Sequence, residues 1–318
     1  MSDLADINLE PMIVTTAEKT SDVFVTRAQI FARKHDWLYV PRSGRSLARL
    51  MATYRAAGIF VFGADGLTFY REKGQMFRYA PGMALLRIKR LMKGENDLMV
   101  EIARLRSGDT FFDATAGMGG DALVASYVVG PAGRVMAIEA SYLLYALVQE
   151  GLRMWGGLNR TSSFVSNHDR QNDNDERKDA HDVHDDAADR PDHAADWRDD
   201  TADRRDDAHR ILSAMRRIEL LHGDHTRLLA RLPDRSVDTV YFDPMFDRTV
   251  KKAHGTVDML RALGEPTPLQ EEAIEQALRV ARRNVMIKER PGSPLFGRYG
   301  FRVYARKASF TYGVRDVS

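Results

Sequence analysis

The chain has 318 residues, of which 44% are apolar, enough to bury the core of one large domain or of a catalytic domain with a smaller companion. It has no cysteine, which excludes disulfides, Cys-ligated zinc, iron–sulfur clusters and any mechanism built on a thiolate nucleophile. Its net charge of +2 hides two unlike parts: residues 167–209 hold sixteen acids against seven Lys and Arg, a net of −9, and the remainder holds 40 bases against 29 acids, a net of +11.

The chain opens on M-S-D-L-A-D-I-N-L-E, which lacks the apolar core of a signal peptide, and no later run is apolar enough to span a membrane. A cytoplasmic protein is expected. Met12 to Thr16 reads as a strand, Val23 to Lys34 as a helix after Ser21 and Asp22, and Trp37 to Val40 as a second strand stopped by Pro41. The segment from Arg42 carries Arg45 and Arg49 along one helical side. A hairpin follows, G-I-F-V-F and L-T-F-Y-R around Gly63-Ala64-Asp65-Gly66. Met83 to Lys93 reads as a helix with Leu85, Ile88 and Met92 on one face. Arg87, Arg90 and Lys93 on another are candidate phosphate contacts. Residues 1–95 are thus expected to form a small α/β module, with possible RNA contact, ahead of a larger domain over 96–318.

That domain begins with T-F-F-D-A-T-A-G-M-G-G-D, residues 110–121. An apolar strand ends on Asp113, the turn Gly117-Met118-Gly119-Gly120 follows, and Asp121 leads into a helix from about Ala122 to Val129. Strand, glycine turn and helix is the opening of a nucleotide-binding α/β unit, because glycines let backbone approach a ligand at the strand's carboxyl end. Arg134 to Ile138 forms the next strand and ends on Glu139, 26 residues beyond Asp113, a spacing that fits one βαβ crossover. A carboxylate there can accept from both hydroxyls of a ribose. A helix from about Ser141 to Met154 is expected to stop at Gly156-Gly157.

Residues from about 166 to 208 are rich in Asp, Arg, Ala and His with almost no large apolar side chain, and such composition predicts a disordered insertion. Its histidines (His168, His181, His184, His193, His209) follow no metal-ligand spacing, so no metal site is assigned. The strand pattern resumes at Ile218 to His222, ending on Gly223-Asp224-His225, with a helix over Thr226 to Arg231. Val237 to Phe242 is a further strand, ending on Asp243-Pro244-Met245-Phe246. A helix from about Leu269 to Arg282, a strand from Asn284 to Lys288 and a last hairpin (Phe301 to Arg306, Ser309 to Tyr312) complete the chain. Four strands in succession therefore end on an acid.

Asp113 with Gly117 and Gly119, then Glu139, Asp224 and D-P-M-F, resembles the motif order of class I S-adenosylmethionine (SAM) methyltransferases. More narrowly, D-A-T-A-G-M-G-G-D-A, Asp224-His225 and Y-F-D-P-M-F are similar to the ribosomal small-subunit methyltransferase J family, whose members methylate N2 of a guanine in small-subunit rRNA. The resemblance covers about Asp113 to Lys288, and M-I-K-E-R-P (Met286 to Pro291) supports it. It implies a Rossmann-like α/β sheet, mostly parallel with an antiparallel C-terminal hairpin, beside the small N-terminal module. It also implies SAM as cofactor, RNA or a ribosomal particle as partner, and no membrane. Cofactor contacts carried over by match are Asp113, Gly117, Gly119, Gly120, Asp121, Glu139, Ala140, Asp224, His225 and Asp243. Three positions depart from the pattern: Gly120 where Arg is typical, Ala140 where a basic residue is typical, and Asp247 in place of Pro.

On that reading the catalytic residues are Asp243, Pro244 and Phe246. An exocyclic guanine amine is a weak nucleophile because its lone pair is delocalised. Asp243 and the Pro244 carbonyl are placed to accept its N–H groups, and Phe246 to stack on the base. Lys288 and Arg290 are expected near the crevice as phosphate or base contacts, or in ion pairs with Asp247 or Glu289. Methylation of DNA adenine or protein glutamine, a nicotinamide oxidoreductase, and a non-catalytic RNA-binding protein with a residual cofactor pocket are the rival readings. The oxidoreductase reading calls for a tighter G-x-G-x-x-G turn, whose third glycine is missing here, and it has no use for D-P-M-F.

Overall fold

The structure is a computed structural model that describes residues 11–71, 75–158, 201–244, 263–264, 269–304 and 310–317. Two sheets carry it. The first has the order β2-β1-β3-β4-β5 and is built from β1 (Met12–Thr16), β2 (Leu38–Tyr39), β3 (Gly58–Gly63), β4 (Gly66–Arg71) and β5 (Met76–Arg78). β1 runs parallel to β2 and β3, and β3, β4 and β5 form an antiparallel meander. The helices α1 (Asp22–Lys34) and α2 (Leu47–Tyr54) accompany this sheet.

The second sheet has seven strands in the order β11-β12-β10-β9-β6-β7-β8. They are β6 (Thr110–Asp113), β7 (Arg134–Glu139), β8 (Ile218–His222), β9 (Val237–Phe242), β10 (Ala281–Glu289), β11 (Arg302–Tyr304) and β12 (Thr311–Asp316). From β8 to β10 all neighbours are parallel, while β12 is antiparallel to both β10 and β11. The expected Rossmann-like sheet with an antiparallel C-terminal hairpin is therefore present. The chain moves outward from β6 through β7 to β8, then returns to the other side of β6 at β9. The strand order reverses between β6 and β9, and ligands of open α/β sheets bind at the carboxyl ends of such a pair.

The helices of this half are α3 (Gly82–Met92), α4 (Leu98–Ala103), α5 (Gly120–Val129), α6 (Tyr142–Leu158), α7 (Thr201–Arg217), α8 (His225–Ala230), α9 (Glu271–Val280) and α10 (Pro294–Arg298). Strands β6 and β9 are buried on both faces, as central parallel strands are. Phe111 and Tyr241 face one layer and Phe112, Val240 and Phe242 the other. The first layer continues from Phe111 through Leu147 and Leu152 to Tyr79, Phe69 and Phe60, so the two sheets share one apolar core. Tyr79 lies hard against α6: a Cβ on Gly151 would sit 2.3 Å from that of Tyr79, so only glycine permits the approach.

Several boundaries differ from the sequence expectation. α6 runs through Gly156-Gly157 to Leu158, because two glycines at about 1 kcal/mol each do not end a helix held by tertiary packing. Residues 201–208, expected within the insertion, form the first two turns of α7, and the rest of the expected insertion lies outside the described residues. α9 stops at Val280 and β10 begins at the next residue. The side chain of Asn284, fully buried, accepts from Thr239 Oγ1 (3.0 Å) and donates to the Ala103 carbonyl (3.2 Å), which fixes that stretch in the sheet.

Candidate active site

The site is organised by the reversal at β6 and β9. Asp113 is level with Tyr241 on one side and Ala137 on the other. Asp243 thus projects two residues beyond Asp113, and Glu139 does the same from β7. Backbone joins the three tips: Ala114 N–H donates to the Tyr241 carbonyl (2.8 Å), Ala116 N–H to the Ile138 carbonyl (2.7 Å) and Asp243 N–H to Thr115 Oγ1 (2.6 Å). The turn after β6 closes with Gly119 N–H on the Ala116 carbonyl at 2.7 Å. Gly117 and Gly119 have φ of 53° and 70°, the left-handed region that glycine enters without a side-chain penalty.

Glu139 clamps this turn. Its buried carboxylate accepts from Gly117 N–H through Oε2 (2.9 Å) and from Ser141 N–H through Oε1 (2.8 Å). Ala140 lies between these contacts, with its carbonyl 2.9 Å from His222 Nε2. Ser141 Oγ donates to the Leu263 carbonyl, bringing that residue over the β7 tip.

Asp113 is 1% exposed and accepts from Thr115 N–H at 3.1 Å. Burial, followed by the neighbouring Asp121 carboxylate, pushes its carboxyl well above the ordinary range. Asp121, in the first turn of α5, is treated differently. Burial raises it, but Lys288 and Arg87 outweigh burial and bring it below the usual value. Arg87 donates to Asp121, Tyr241 Oη–H donates to Asp121 Oδ2 at 2.8 Å, and Lys288 Nζ lies 3.7 Å from the same oxygen. Lys288 also donates to Asp243 Oδ2 at 2.6 Å. Burial raises the Asp243 carboxyl to about 6, with Lys288 restraining the rise and Asp121 adding to it.

Asp224 and His225 stand apart from this cluster. Asp224 is exposed and its carboxylate accepts from Arg227 N–H (2.9 Å), capping α8. Its side chain therefore serves the helix, as Asp at an N-cap does. It is joined to the β7 tip through the preceding residue, since Gly223 N–H donates to the Glu139 carbonyl at 3.0 Å. His225 is buried, edge-on to Phe242 with centroids 5.7 Å apart, and burial keeps its imidazole below the usual value. Its Nε2 has no partner among the described residues.

Two expectations need correcting. Arg87, expected to meet phosphate, is instead bound to Asp97 (2.7 and 2.9 Å) and Asp121. Lys288 pairs with Asp243 and Asp121, neither of which was the expected partner. Pro244 is half-buried at the β9 tip and Arg290 is exposed. Phe246 and Asp247 lie outside the described residues. Thr115 and Ser141, which orient the tips, were not anticipated, and no local pattern marks them.

The residues present suit SAM on three observations. A Cβ built on Gly120 meets no atom within 4 Å, which leaves open space above the first residue of α5. A cation at the strand tips would offset the crowding of Asp113 by Asp121, Asp243 and Glu139, which suits the cofactor's cationic methionine end. The unpartnered Nε2 of His225 awaits a polar neighbour beside β8.

Comparison with known proteins agrees with this geometry. The family model SAM_MT, described as "Putative SAM-dependent methyltransferase", matches residues 190–298. Bacillus subtilis (strain 168) YpiP, described as uncharacterized, is 31% identical over 307 residues, 96% of this chain and all of that one. The crystal structure of a SAM-dependent methyltransferase from Neisseria gonorrhoeae shares the fold, with a TM-score of 0.52 and 15% identity over 96% of this chain and 95% of that one. The chain belongs to the family of YpiP, and it is a SAM-dependent methyltransferase.

Proposed function

We propose that the methyl acceptor is the exocyclic N2 amine of a guanine in small-subunit rRNA. The observation that carries this reading is Asp243-Pro244 at the tip of β9, beside Asp113 at the point where the strand order reverses. The wider motif, D-A-T-A-G-M-G-G-D with D-P-M-F, supports RNA guanine over other amines. SAM, when bound, supplies a methyl group already activated on sulfonium. Glu139 would hold the ribose, His225 flank the base, and the Gly117–Gly120 turn leave room for the methionine part.

The protein's own contribution is alignment. Asp243 accepts one N–H of the incoming amine and the Pro244 carbonyl accepts the other, which turns the lone pair towards the methyl group. One charge-assisted bond is worth about 1.5–3 kcal/mol, whereas correct placement of two reactants supplies roughly 7–11 kcal/mol. Asp243 therefore acts chiefly as an orienter. An RNA partner is supported by charge: between Trp37 and Ala64 stand Arg42, Arg45, Arg49 and Arg55 with no acid.

Transfer of labelled methyl to total RNA, to DNA and to protein, followed by nucleoside analysis, tests the reading. Label in N2-methylguanosine is expected. Label confined to DNA adenine, to protein glutamine or to another nucleoside would overturn the acceptor assignment.

A further inference from the structure

Lys288 is the contact in this site that the proposed chemistry does not yet use. It stands at the end of β10, level with Tyr312 of β12, and its side chain is 21% exposed. Its ammonium touches Asp243 Oδ2 at 2.6 Å, Asp121 Oδ2 at 3.7 Å and the face of Phe310 at 5.0 Å from the centroid. Asp243 is thus held at both ends, by Thr115 through its backbone N–H and by Lys288 through its carboxylate.

We propose that Lys288 is a positioning residue for methyl transfer, fixing the Asp243 carboxylate and keeping it an acceptor for the substrate amine. The inference rests on the reading of Asp243 as the amine's partner. The chemistry is specific: a carboxylate accepts N–H groups, whereas a protonated carboxyl presents an O–H that competes with them. The titratable and charged groups facing Asp243 among the described residues are Lys288 from β10, Asp121 from α5, Arg87 from α3, Tyr241 from β9, Tyr312 from β12 and Asp113 from β6. Of these only Lys288 touches its carboxylate as a cation. Arg87 spends its contacts on Asp97 and Asp121. Without Lys288, Asp121 and Asp243 would face each other with like charge, and Asp243 would take up a proton at higher pH.

The test compares wild type, Lys288→Met, Lys288→Gln, Lys288→Arg and Asp243→Asn. Two quantities are read: kcat as a function of pH, and the Asp243 carboxyl titration in the cofactor-free protein by carbon-13 NMR, assigned by its disappearance in Asp243→Asn. In the Met and Gln variants both the carboxyl titration and the acid limb of kcat should rise by roughly one to three pH units. Loss at pH 7 should be about tenfold for a limb displaced to about 8, with recovery at higher pH. Lys288→Arg should restore the wild-type limb. If the Met variant does not fold, the Gln variant carries the same prediction. An unmoved titration and limb in a folded variant would overturn the inference. Full transfer by Asp243→Asn would instead overturn the reading of Asp243.

Discussion

Replacing Glu139 separates its two roles. In Glu139→Ala the Gly117 and Ser141 N–H groups lose an acceptor that now sits 2.9 and 2.8 Å away. Hydrogen bonds to a charged group contribute about 1.5–3 kcal/mol each, so the pair sets a loss of roughly 3–6 kcal/mol, less whatever entering water recovers. At roughly 1.5 °C per kcal/mol for a chain of 318 residues, the melting temperature should fall by about 4–9 °C. Glu139→Gln keeps the shape and tests the second role, while its NH2 group also opposes one of the two backbone donors. Its S-adenosylhomocysteine (SAH) affinity should fall at least tenfold, about the effect of losing one charge-assisted bond to a ribose hydroxyl. Calorimetric titration and thermal melts with and without SAH measure both. If Glu139→Gln bound SAH as tightly as wild type, the ribose assignment would be refuted. If Glu139→Ala melted unchanged, the clamp on the glycine turn would be.

Three further outcomes follow from the same geometry. Asp113 has a folded-state carboxyl above its unfolded value, so its contribution to stability is fully present at acidic pH and is lost as pH rises through the folded value. Asp113→Asn should therefore melt no lower than wild type at pH 8 without ligand, while binding SAH more weakly; melts and calorimetry at pH 8 decide both. Gly151→Ala drives a methyl into Tyr79, and overpacking of this kind costs about 1–3 kcal/mol, measurable as a lower denaturant midpoint. Tyr241→Phe removes the 2.8 Å donor to Asp121 and should cost about 1.5–3 kcal/mol of stability with little change in SAH affinity.

The parallel sheet was legible because its strands are short apolar runs, each closed by an acid or a glycine turn, and that pattern survives in one dimension. β5 was missed because three residues of an edge strand show no period. α4 and α10 did carry signals: Asp97 caps Met99 and Val100, and Ser293 precedes Pro294 at the first helical turn. The α9–β10 junction was misplaced because A-L-R-V-A-R-R-N-V suits helix and strand equally, and the choice is made by the distant partners of Asn284. The acids at the tips of β6, β7 and β9 were read correctly as neighbours, since strand period and crossover length bring them together. The cations of the cluster were not. Arg87 and Lys288 approach from α3 and β10, 34 residues from Asp121 and 45 from Asp243, and no local spacing encodes such pairs. Asp224 looked equivalent to the other three, yet it is exposed and its carboxylate caps the first turn of α8.

Hydrogen–deuterium exchange with and without SAH tests most directly whether the strand tips form one cofactor pocket. Protection should fall on peptides covering 113–121, 139–142 and 222–228, with none at the groove beside Asp97, Glu101 and Arg104. Protection at that groove in place of the strand tips would contradict the account.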